Sequence, residues 1–88
     1  MAIEDVFSSK GRTKILKVLA KIDNLNVSEI ARRSGLSYTT TFQHLQFLER
    51  EGLIRHKTFG RIRIFRFNED DQKATITKRL IRLWETDK

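Results

Sequence analysis

At 100° per residue, Tyr38, Thr39, Phe42, Gln43 and Gln46 fall on one arc of a helix, and Thr41, Leu45 and Leu48 fall away from it as a buried side. The chemistry open to the polar arc is recognition. A glutamine carboxamide can pair with two atoms on the edge of an adenine, and a threonine methyl can touch the methyl of a thymine. Gln43, Thr39 and Gln46 are therefore candidate base-reading side chains. The plainer alternative is a solvated polar face. Tyr38 can give its hydroxyl to a phosphate or simply be exposed. Phe42 lies at the boundary, where core packing and apolar contact with DNA are both open.

Arg61 and Arg63 follow Gly60, where a chain reversal is expected. The negative potential of a narrow minor groove attracts arginine, and Arg61 is the better placed of the two. The alternative is a charged edge strand that resists aggregation. Ser37, Thr40, Arg32 and Arg33 are candidates for phosphate contacts, Ser37 doubling as a helix cap. The first turn of the helix that Ser37 opens adds free N–H groups.

Catalysis and metal binding find little support. The chain has no cysteine and only two histidines, His44 and His56. His44 reads as a partly buried structural residue, and no ligand cluster suggests a metal site. Carboxylates gather at Glu69–Asp71 and near the two ends of the chain, and nothing resembles an activated nucleophile. The expectation is no enzyme, no cofactor and no metal. No residue pattern specifies a small-molecule effector.

The elements that must position these side chains are short. A first helix is expected over about Ser9–Ile22, capped by Ser8 or Ser9, with Ile15, Leu16, Leu19 and Ile22 on one stripe. Asp23–Asn24 ends it. A second helix is expected over Val27–Ser34, where Asn26 and Glu29 fit a capping box, and Gly35 suits its left-handed exit. A third is expected over Tyr38–Glu51, stopped by Gly52. Helix, glycine turn and helix within about thirty residues form a helix-turn-helix, whose second helix lies in a DNA major groove. Leu53–Thr58 and Arg61–Phe67 read as a hairpin with Phe59–Gly60 at its tip. A last helix is expected from Asp70 or Asp71 to Thr86. The fold class is α+β, mainly α: a winged helix-turn-helix with a three-helix core, a β-hairpin wing and a C-terminal helix.

Charge points the same way. The 88 residues carry a net +7, which favours polyanions. Between Phe7 and Ile22 the charges are Lys10, Arg12, Lys14, Lys17 and Lys21; between Gly52 and Phe67 they are Arg55, Lys57, Arg61, Arg63 and Arg66. Neither stretch holds an acid. The N-terminus lacks a secretory pattern and the chain lacks an apolar run of membrane length, so a cytoplasmic, nucleoid-associated protein without a membrane partner is expected.

With these residues placed, the chain resembles winged helix-turn-helix transcription regulators of the ArsR type, with the MarR type close behind. The resemblance rests on L-S-Y-T-T-T-F-Q-H-L-Q-F-L-E-R-E-G-L-I (36–54), R-T-K-I-L-K-V-L (12–19) and G-R-I-R-I-F-R-F (60–67), and it spans about Arg12 to Phe67, some two-thirds of the chain. The chain departs from the family in lacking the metal sensors' thiolates, in Thr41 where an aliphatic residue is common, and in Phe42 where a small polar residue is common. The expected function is a sequence-specific double-stranded DNA-binding regulator, a homodimeric repressor on a palindromic site. The alternatives are a low-specificity architectural DNA-binding protein and a winged helix for protein or RNA contact. Residues 1–88 would form one DNA-binding domain. Within it, 70–86 would be a dimerisation helix joining two copies through Ile76, Leu80, Leu83 and Trp84, with help from Ile3, Val6 and Phe7.

Overall fold

A computed structural model describes residues 2–86. The elements in order are α1 (Ile3–Phe7), α2 (Lys10–Lys21), β1 (Leu25–Asn26), α3 (Val27–Ser34), α4 (Tyr38–Arg50), β2 (Ile54–Phe59), β3 (Ile62–Phe67) and α5 (Gln72–Thr86). Local hydrogen bonds set most helix starts. Ser9 Oγ accepts from the Arg12 amide at 3.2 Å, Asn26 Oδ1 from Glu29 at 2.8 Å and Ser37 Oγ from Thr40 at 3.1 Å. Each satisfies an amide that the first turn leaves without a helical partner. Asp71 Oδ1 does the same for Ala74 at the start of α5.

Several expectations change in detail. The capping box at α3 is only half made: Glu29 turns its carboxylate to Arg32 and Arg33 instead of back to the chain. Helix α1 was not expected, and it folds Val6 into the core, 3% exposed. Ile22 is the C-cap of α2 and leaves the buried stripe, 37% exposed. The hairpin tip is Gly60–Arg61, since Phe59 pairs with Ile62 as the last rung. Gly60 has φ 61°, in keeping with the glycine preference at the first position of such two-residue loops.

The hairpin is also part of a larger sheet. β1 adds to the far edge of β3, giving the order β1-β3-β2, all antiparallel. Leu25 pairs with Phe65 and Asn26 with Ile64. Asn24 takes φ 66°, and its amide donates to Phe65 O at 3.1 Å, turning the chain from α2 into β1. The root of the wing is thereby tied to the entrance of α3.

The core lies where α2, α3 and α4 meet the inner face of the sheet. Ile15, Leu16, Leu19, Ile30, Leu45, Leu48, Phe65 and Phe67 are all buried, each contributing about 1.5–3 kcal/mol. Two contacts lock α2 to its neighbours. The Arg12 guanidinium lies 3.7 Å from the centre of the Phe47 ring and donates to Asp5 O, joining α1, α2 and α4. Gly11 lets α2 approach α4 closely: a Cβ there would stand 2.7 Å from His44 Nε2. Half-buried His44 is pushed below its ordinary pKa by burial and by the charge of Arg12.

α5 packs on α2 and the end of β3. Lys78 reaches Asp23 at the end of α2 and Glu69 before α5. Burial opposes its charge, but the hydrogen bonds to Asp23 and Glu69 outweigh that cost and raise its pKa. Asp23 also accepts from the Phe67 amide at 3.3 Å. Ala74 and Ile81 turn inward, whereas Ile76, Leu80, Leu83 and Trp84 are 51–69% exposed. No helix among the described residues is long and apolar enough to cross a membrane.

Candidate nucleic-acid interface

The alternation of buried and exposed side chains along α4 follows from its packing. Thr41, Leu45 and Leu48 are buried, which rolls Thr39, Gln43 and Gln46 out to solvent. Tyr38 is 56% exposed at the first turn. Ser37 keeps its hydroxyl on the Thr40 amide, so its first role is the cap. Thr40 is half-buried.

Phe42 occupies neither extreme. It is half-buried, packs on the edge of the core and stacks with Tyr38, the ring centres 6.5 Å apart and the planes 15° from parallel. The Arg63 guanidinium lies 5.3 Å from the centre of the Phe42 ring. A cation over an aromatic face is attracted by the ring quadrupole, at about 0.5–1 kcal/mol where exposed. Tyr38, Phe42 and Arg63 thus join the exposed arc of α4 to the wing.

Between them opens a cleft of about 440 Å³. It is lined by Asn26, Val27 and Ser28 at the start of α3, Tyr38 and Phe42 on α4, and Arg61, Ile62 and Arg63 on the wing. The cleft gathers hydroxyls, the first-turn amides of α3 and two guanidinium groups. That set suits an anionic chain passing from α4 toward the wing. Among the described residues, neither Arg61 nor Arg63 has an ion-pair partner. Ser28 was missed in the sequence, although an exposed hydroxyl in the first turn of a helix is a usable sign of an anion contact.

Arg32 and Arg33 are not brought to this cleft. Both are exposed and pair with Glu29, whose carboxyl is held below its ordinary pKa chiefly by the hydrogen bond from Arg32. Arg33 lines a different cleft, with Lys17, Lys21 and Arg82. The basic footprint also contracts. Lys17 pairs with Glu85 at 2.7 Å, Arg55 with Asp70 at 2.8 Å, and Arg12 is spent on α1 and Phe47. His56 faces Glu49, Nδ1 to Oε2 2.6 Å, bridging β2 and α4. Among the described residues no group of three or more His, Asp or Glu side chains is arranged to hold a metal ion.

A capped helix-turn-helix whose second helix shows a polar arc beside a basic wing defines a class of DNA-binding protein. Residues 12–55, half of the chain, match the family model for winged helix-turn-helix DNA-binding domains, and the chain belongs to that family. The fold is that of transcriptional regulators. The chain is similar to a protein described as a predicted DNA-binding transcriptional regulator from E. coli (TM-score 0.80, 22% identity, 98% of this chain and 85% of that one). It is similar to HlyU from Vibrio cholerae (TM-score 0.75, 25% identity, 91% and 85%). A third likeness is to the homodimeric winged helix-turn-helix DNA-binding domain of Mb0332 from Mycobacterium bovis, a possible ArsR-family transcriptional regulator (TM-score 0.72, 26% identity, 93% and 70%). Comparison with curated proteins gives no match.

Proposed function

We propose that the chain is a homodimeric, sequence-specific regulator that represses transcription by occupying promoter DNA in the nucleoid. The observation that carries this reading is the exposed arc of Thr39, Gln43 and Gln46, bordered by the cleft that holds Arg61 and Arg63. Gln43 and Gln46 read base edges, with Thr39 against a thymine methyl. Tyr38, Thr40 and Ser37 hold the backbone near the start of α4. Arg61 enters the adjacent minor groove. Arg63, seated on Phe42, binds phosphate beside it. Arg32 and Arg33 add phosphate contacts only by exchanging Glu29 for the DNA. Phosphate neutralisation supplies most of the affinity, and α4 the specificity.

Residues 1–88 act as one DNA-binding domain in which 70–86 serves as the dimerisation helix. The exposure of Ile76, Leu80, Leu83 and Trp84 supports this, as does the homodimeric state of Mb0332. Of the N-terminal residues, Ile3 and Phe7 are exposed enough to join them, whereas Val6 serves its own core. Two copies would set two α4 helices about one DNA turn apart on a palindromic site.

The test is selection of bound duplexes from a random library at about 150 mM salt. An enriched palindrome is the expected result, and Gln43→Ala should relax the preference at one base pair in each half. Tight binding without any enriched motif would instead favour an architectural role, the reading that the +7 net charge supports.

A further inference from the structure

The wing ends in an apolar pair that the fold leaves uncovered. Phe59 and Ile62 face each other as the last rung before the Gly60–Arg61 loop, and they are 62% and 51% exposed. The turn itself asks only for Gly60. A Phe–Ile cross-strand pair steadies a hairpin by about 0.2–1 kcal/mol, but a Thr–Thr pair contributes on the same scale without leaving an apolar tip in water. The surroundings of Phe59 are cationic: exposed Lys57 shares its face of the hairpin, exposed Arg61 sits in the loop beside it, and no acid lies between Gly52 and Phe67.

An apolar point inside a positive rim complements a groove whose edges are phosphate and whose walls are sugar and base. The contact of Arg63 with Phe42 also biases the hairpin toward one orientation relative to α4. We propose that Phe59, backed by Ile62, enters the minor groove and wedges against a base step, bending the duplex. The proposal rests on the DNA-facing wing of the preceding section. Apolar wedges of this kind unstack a step and kink the helix by roughly 20–90°. Pyrimidine–purine steps yield most easily. The wedge therefore creates a sequence preference at a step that no hydrogen-bonding side chain touches.

The experiment uses the single tryptophan of the chain. Phe59→Trp in a Trp84→Phe background places the only indole at the tip. When this protein is saturated with a selected duplex of about 30 base pairs, acrylamide quenching of the indole is expected to fall several-fold. Energy transfer between the duplex ends is expected to rise with the wild-type protein. It should not rise with Phe59→Thr/Ile62→Thr, which puts strand-favouring β-branched residues at both positions and should bind about tenfold more weakly. Saturable binding with unchanged quenching, and with the same end-to-end distance for both proteins, would overturn the wedge and leave the DNA-binding reading standing. Protection of the indole that depends on protein concentration without DNA would overturn it in favour of contact with a second copy. Absence of saturable binding would overturn the DNA-binding reading and the wedge with it.

Discussion

Thr41 is fully buried, and its hydroxyl has no hydrogen-bond partner. A buried polar group left unpaired costs about 1–3 kcal/mol. Thr41→Val keeps the branched shape and removes that cost, so it is expected to stabilise the fold by about 1 kcal/mol, read as a higher midpoint in urea. The position also explains why Thr41 and Phe42 do not disturb the helix. Thr41 takes the inward place that its spacing with Leu45 and Leu48 assigns, and Phe42 is left at the margin. His44 makes a second prediction at this scale. Its pKa lies below the ordinary value of 6.5 in the folded chain, so below that pH the unfolded chain binds the proton more readily. Stability is full above about pH 6.5 and falls as the pH drops toward the folded value. Urea midpoints at pH 7.5 and 5.5 should show a smaller acid-side loss in His44→Gln than in wild type.

At the scale of elements, the wing and α4 behave as one unit because Phe42 carries Arg63. Removing the ring takes away a cation–π contact of about 0.5–1 kcal/mol and some packing at the core edge. Phe42→Ala is therefore expected to speed amide hydrogen exchange at the Ile62–Arg63 end of β3, leaving the β1–β3 pairing at Leu25 and Phe65 protected. Phe42→Tyr should restore slow exchange. If Phe42 served only the core, both ends of the sheet would loosen together. Helix boundaries were legible in the chain to within a residue or two. Ser9, Asn26, Ser37, Gly35 and Gly52 act through bonds and angles within a few residues of themselves. The two-residue β1 was not legible, because Leu25 and Asn26 are strand only by pairing with Phe65 and Ile64, some forty positions away.

At the scale of the whole molecule, the proposed dimer rests on α5. Ala74, Ile81 and Lys78 bind it to its own core and leave an apolar stripe in water. Leu80→Glu/Leu83→Glu is expected to give a folded monomer, with unchanged helical circular dichroism and half the mass by light scattering. Its affinity for a full palindrome should fall roughly tenfold or more, because the second half-site no longer benefits from linkage to the first. Affinity for a single half-site should change little. A dimer that survived the double substitution would move the interface away from α5.

The sequence by itself determined the capped helices, the glycine turns, the hairpin and the polar arc of α4, and through these the family. Those features depend on periodicity and on hydrogen bonds within one turn, which neighbouring residues carry in full. Only the tertiary structure decided that α1 would close over Arg12 and that Gly11 would admit His44. It also decided that Phe42 would become the seat of Arg63. Each of these pairs one element with another. That pairing is made by packing, burial and Coulomb attraction after the chain has folded.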